Sequence, residues 1–176
     1  MLKARMSVIT GMILFVAGMR LIPHPPNFTP VLAMALFGGA YLTSKRAAFA
    51  VPLVAMLLSD LIIGPDHLLP LIYGCIVLTT CLGLVLRARK GALPVAAAAV
   101  ASSALFFVVT NFGVWALGSL YPKTAQGLIA CFVAAIPFFH TMLLGTLVYS
   151  AFLFGGFILA ERAFPRLREP AYGLSA

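Results

Sequence analysis

The sequence predicts an all-α membrane protein: a bundle of six transmembrane helices with both termini in the cytoplasm. Three observations carry this. Of the 176 residues, 62% are hydrophobic and 9% charged, where a soluble domain has about a quarter charged. The mean hydropathy is +1.09. The cations stand in short clusters between apolar runs, which is the pattern of cytoplasmic loops. One crossing needs about 20 apolar residues, so a single domain over 1–176 has room for about six crossings and none for a soluble catalytic domain.

The first helix is expected over about Ser7 to Ile22. It follows Lys3 and Arg5, lacks a small-x-small cleavage site and ends at His24-Pro25-Pro26, so it reads as retained and not as a signal peptide. Pro23, Pro25 and Pro26 forbid regular helix in the loop PHPPNFTP, and Thr29-Pro30 offers an N-cap with proline at the first helical position. A short second helix follows over about Val31 to Thr43, closed by Lys45-Arg46. The third runs from about Ala47 to Ile63 through Pro52 and ends in the turn GPDH. The fourth covers about Leu68 to Leu86 and the fifth about Leu93 to Leu117, whose alanine- and serine-rich first half suits close packing in lipid. The apolar stretch Leu128 to Ala160 is too long for one crossing and contains Pro137 and His140. It divides into an interfacial helix over about 125–136 and a sixth span from about Thr141 to Ala160.

Charge tests this order. With the N-terminus inside, ten of the twelve cations fall on the cytoplasmic side (Lys3, Arg5, Lys45, Arg46, Arg87, Arg89, Lys90, Arg162, Arg166 and Arg168), leaving Arg20 and Lys123 outside. The net charge of +8 is therefore a matter of topology, and nucleic acid is not an expected partner. Cys75, Cys81 and Cys131 form no CxxC and lie in apolar stretches, which indicates neither a disulfide framework nor a zinc site.

The unusual polar residues collect on the outer side. His24 and Asn27 fall in the first outer loop, Asp66 and His67 in the second, and His140 near the outer start of the sixth span; Tyr73 lies in the first turns of the fourth helix. Asp60 sits about one turn, and Asn111 about two turns, inside the outer ends of their helices. An ionisable group at that depth faces a cavity or a partner, so two readings fit Asp60: a ligand group, or an ion pair with Arg20 at similar depth. Asn111 and Trp115, four apart on one helix face, form either a ligand wall or packing contacts. The histidines are either interfacial or ligands, although no HxxH spacing marks a metal site. Cys75 lies about 10 Å and Cys81 about 20 Å below the outer end of the fourth helix. Both have inert packing as an alternative role. No GxSxG, HExxH, phosphate-loop or dinucleotide motif is present, so an ATP-driven step requires another protein.

Four stretches carry a resemblance: LIPHPPNFTPVLAMALFGGAY (Leu21 to Tyr41), MLLSDLIIG (Met56 to Gly64), LFFVVTNFGVWALGSLYPKTAQGLIACFVAAIPFF (Leu105 to Phe139) and LVYSAFLFGGFILAERAFP (Leu147 to Pro165). They resemble a family of uncharacterised bacterial inner-membrane proteins grouped with the substrate-binding S components of energy-coupling-factor vitamin transporters. The resemblance implies an S-component-like bundle of six helices, a vitamin-sized pocket open to the outside, and an energising ATPase and transmembrane module as partner or a solitary transporter. In solitary members similar to cobalamin transporters, a cysteine thiolate holds the cobalt. On this chain the resemblance points to Cys75, then Cys81, as that metal ligand, a soft donor suited to a transition metal. Where such relatives carry an arginine and an acid after the IPFF run, this chain has His140 and Thr146.

The expectation is thus a bacterial inner-membrane transporter that takes up a vitamin, cobalamin first, with His24, Asn27, Asp60, Asp66, His67, Tyr73, Asn111, Trp115 and His140 around the ligand. Two alternatives stand beside it: an assembly subunit of a membrane complex, and a small-molecule membrane enzyme.

Overall fold

The computed structural model describes residues 2–64 and 67–168. Each apolar run between cation clusters is a helix: α1 (Leu2–Gly18), α2 (Val31–Tyr41), α3 (Lys45–Ile63), α4 (Leu69–Val85), α5 (Ala92–Leu117), α6 (Ala125–Ser150) and α7 (Gly156–Ala163). A five-residue π-helical turn, Ala151–Gly155, joins α6 to α7. Among the described residues, five stretches are long and apolar enough to cross a bilayer, the last being the 39-residue run Ala125–Ala163. Sequence punctuation sets the ends: Gly64, at φ 105°, stops α3 in a conformation that favours glycine. The Thr124 hydroxyl accepts from the Gly127 amide at 3.1 Å to cap α6.

The surface is apolar and the interior partly polar. Leu57, Leu58, Leu61 and Ile62 of α3 and Phe152 and Leu159 of the last stretch point outward, while Ser59, Asp60, Thr79, Thr80, Ser102, Ser103 and Thr146 are buried. That distribution is what a lipid solvent selects. Two of the buried hydroxyls return their hydrogen bonds to their own helices, Thr80 to the Ile76 carbonyl at 2.9 Å and Thr146 to that of Met142 at 2.9 Å.

Helix α2 is the core. All eleven of its residues are buried, with α1, α3, α4 and α6 packed around it. Gly39 of α2 and Gly83 of α4 let the two backbones touch: a Cβ on Gly39 would stand 2.5 Å from the Thr80 carbonyl oxygen, and one on Gly83 2.4 Å from that of Leu36. Arg87 closes the end of α2, donating to the carbonyls of Gly39 at 3.0 Å and Thr43 at 3.4 Å, and to that of Leu42. The Phe37 and Tyr41 rings pack on Phe154 and Phe157 at centroid distances of 4.8 to 5.8 Å.

Several boundaries depart from the sequence reading. Helix α1 begins about a turn earlier than Ser7 and takes in Arg5, which is 1% exposed. Its guanidinium donates to Glu161 and to the Leu167 carbonyl and stacks 5.1 Å from the Phe157 ring. A cation read as a loop residue is thus a buried tie between the first and last helices. The division expected between 125–136 and Thr141 is absent, because Pro137 lies inside the continuous α6. Proline removes one donor, and lipid-embedded helices tolerate that where other groups take up the freed carbonyl. Pro30, with φ −80° and ψ 0°, occupies the cap position of α2 without a side-chain bond, so the Thr29 hydroxyl does not cap the helix.

Candidate functional site

At the end of the bundle where α1 finishes, the chain does not return as helix at once. Residues 22–30 run down as irregular backbone, with Asn27 at φ 62°, until α2 starts. Phe28 and Thr29 lie against α6 at Gly145, where a Cβ would meet the Phe28 Cα at 3.1 Å, and the Phe28 ring packs 5.7 Å from that of Tyr149. Residues 22–27 are exposed, and only Phe28, Thr29 and Pro30 are covered by the bundle.

Two adjoining cavities open beside it. The first, about 210 Å³, lies between Asn27, Asn111 and Thr110 and a wall that includes Phe106, Phe107 and Phe139. The second, about 190 Å³, holds Arg20, Asn27, Thr29 and the first residues of α2. Both are bounded by Asn27, Ile72, Phe106 and Met142, so they form one hollow divided by side chains. The aromatic wall is built by pairs: Phe107 meets Phe132 at 5.4 Å and Phe139 at 5.1 Å.

Asp60, 7% exposed, accepts from the Arg20 guanidinium at 2.9 Å and from the Tyr73 hydroxyl at 3.0 Å. Of its two readings the ion pair is the one present. Arg20 also donates to Ser59 and lies 2.9 Å from the Met56 sulfur, so the pair sets the guanidinium at the cavity wall. Asn111 lines the first cavity and donates one amide hydrogen to the Phe107 carbonyl at 2.8 Å. Trp115 does not join it: its indole N–H donates to the Pro122 carbonyl at 2.9 Å and pins the α5–α6 turn. Lys123 sits 5.7 Å from the same ring.

The other candidates stand apart. His24 is exposed and its Nδ1 lies 2.8 Å from the Ile22 carbonyl; His67 and His140 are exposed, His140 with its ring 6.2 Å from Phe139. Asp66 lies outside the described residues. Cys75 is 1% exposed and lines neither cavity, and Cys81 is exposed on the outer surface of α4. Among the described residues no three His, Cys, Asp or Glu side chains gather to hold a metal. The residues that sequence reasoning missed are Arg20, Thr29, Thr110 and the Phe106-Phe107 pair. Arg20 carried a signal, a cation on a helix at the depth of Asp60, and the phenylalanines carried none beyond lipid-facing residues of the same type.

Fold and site together define a multi-pass α-helical membrane protein with a small amphipathic hollow at one end of its bundle. The chain belongs to a family of unknown function, DUF6580, which it matches over residues 1–167. No curated protein and no solved structure matches it.

Proposed function

We propose that this protein is a substrate-binding transporter of the S-component kind, capturing a vitamin-sized molecule at the outer face of a bacterial inner membrane. The observation that carries the reading is the divided hollow, in which one cation (Arg20) and two amides (Asn27 and Asn111) converge within an aromatic and aliphatic wall. Ligand sites have that constitution, an apolar enclosure with a few placed polar groups. The irregular segment that replaces the outer half of a helix supports it too, since discontinuous spans line substrate sites in transporters. Arg20 and the peptide N–H groups at the start of α2 suit an anionic or strongly polar group on the ligand, and the phenylalanines suit a ring.

Six crossings with both ends in the cytoplasm complete the reading. In its support, Arg5 of α1 meets Glu161 of α7, and two ends on one side require an even number of crossings. Helix α2, eleven residues long, spans about 16 Å, and residues 22–30 supply the remaining depth. An energising ATPase and transmembrane module, or reorientation of the bundle, then drives release.

The test is thermal stability of the detergent-purified protein against a panel of vitamins. One ligand is expected to raise Tm, with Asn27→Ala and Asn111→Leu each weakening its binding about fivefold, the worth of one net hydrogen bond. Binding unchanged in both variants would place the site elsewhere, and no response to any vitamin would favour the assembly subunit. For cobalamin in particular, Cys75 has to reach the ligand from its buried place on α4. A corrinoid absorption band lost in Cys75→Ser supports that version, and a colourless protein from cobalamin-fed cells removes it.

A further inference from the structure

At the opposite end of the bundle, a groove of about 380 Å³ runs between α5 and the α6–α7 stretch. Its walls are apolar: Val95 and Ala96 on one side, Leu147, Phe154 and Ile158 on the other. The π-helical turn forms the middle of the second wall. There Ala151 and Gly155 leave the helix surface set back, and a Cβ on Gly155 would meet nothing within 4 Å. Two polar features interrupt this lining. Lys90 stands at the end next to Ala92, its ammonium 4.7 Å from the Tyr41 ring, and the exposed Arg89 is next in sequence. Deeper along the groove lies Ser150, 2% exposed, whose hydroxyl has no hydrogen-bond partner. A buried hydroxyl without an acceptor is costly, so the groove is incomplete as it stands.

We propose that this groove binds an anionic glycerophospholipid. An acyl chain lies along the apolar walls, an ester carbonyl accepts from Ser150, and the phosphate meets Lys90. Any bilayer lipid fills a lipid-facing groove with a chain. The cation at its mouth makes the choice among headgroups, as basic pockets between membrane helices do, and the unpartnered hydroxyl fixes the depth of the glycerol. The inference rests on the chain being a membrane protein and is independent of any ligand at the outer cavities.

The experiment is native mass spectrometry of the full chain in detergent, titrated with phosphatidylglycerol, with phosphatidylcholine of the same chains, and with glycerol phosphate. Phosphatidylglycerol is expected to bind more tightly than phosphatidylcholine, and glycerol phosphate not at all. Lys90→Gln is expected to cut phosphatidylglycerol binding about fivefold, the worth of one basic residue at an anionic lipid surface, without changing phosphatidylcholine. Ser150→Ala should weaken both lipids alike, and Gly155→Leu, which fills the groove from a helical backbone position, should abolish both. Lys45→Gln, a cation at the same end but off the groove, should change nothing. Equal binding of the two lipids by the unaltered protein, or a headgroup preference that survives Lys90→Gln, overturns the proposal. Binding of glycerol phosphate alone overturns it in favour of a simple anion site.

Discussion

Arg20 and Asp60 show how one buried pair serves stability and chemistry at once. The side chains are 12% and 8% exposed, so both charges are largely withdrawn from solvent, Arg20 meeting it only at the cavity wall, and removing one leaves the other poorly paired. Asp60→Asn is expected to lower unfolding stability by roughly 3 kcal/mol, the scale for a broken buried ion pair, read as a fall in Tm in detergent. Replacing both together, Arg20→Met with Asp60→Leu, should restore most of that stability, because an apolar pair of similar volume has no desolvation to offset. Under the proposed function, the double variant should still fail to bind ligand, since it lacks the cation at the cavity wall. If it binds normally, Arg20 is structural only. The pairing itself was legible in the sequence, because depth is counted from helix ends at a fixed rise. That the same guanidinium borders a cavity was not, because this depends on the path of residues 22–30, and the four prolines there specify only that the segment is not helical.

Among the elements, α2 is set by backbone proximity more than by its side chains. Sequence reasoning marked it as too short to cross with ease; the structure places it in the centre, where no lipid-length requirement applies to its faces. Gly39 and Gly83 make that position accessible. A methyl at Gly83 meets the Leu36 carbonyl of the facing helix, a rigid neighbour, so Gly83→Ala is expected to cost about 1 to 3 kcal/mol as overpacking. Gly74→Ala, on the same helix with nothing within 4 Å of its Cβ, is the control and should be neutral or slightly stabilising, as alanine is the better helix former. Equal Tm shifts for the two would mean that the α2–α4 contact is looser than described. Spans α3, α4 and α5 were readable to within a few residues, since apolar runs bounded by cations admit one interpretation in lipid. Two others were not. Pro137 reads as a helix end by the rules of water-soluble proteins and is accommodated here. Arg5 reads as a loop cation because its acceptor, Glu161, lies 156 residues away, beyond the reach of any local pattern.

For the whole molecule, the decisive question is which end of the bundle faces which compartment. The end holding Arg5, Arg87, Lys90 and Glu161 is the cation-rich one, which under the proposed topology and the positive-inside rule is the cytoplasmic end. On that proposal the opposite end, with Arg20, the two cavities and the α5–α6 turn at Lys123, faces outward. The alternative is the same bundle inserted the other way up, since Arg5 and Arg87 hold the end of α2 at the end of the bundle where α1 starts, and it reverses every loop. With the native cysteines replaced, Lys123→Cys should react with a membrane-impermeant maleimide in intact cells, while Ser44→Cys should react only after permeabilisation. The inverted bundle predicts the reverse for both positions. Lys123 belongs to the turn that Trp115 pins and not to either cavity wall, so its replacement leaves ligand binding free to be measured on the same protein. A reversed labelling pattern accompanied by intact binding would keep the cavity and move its opening to the cytoplasm, turning an uptake protein into one that captures its ligand from inside.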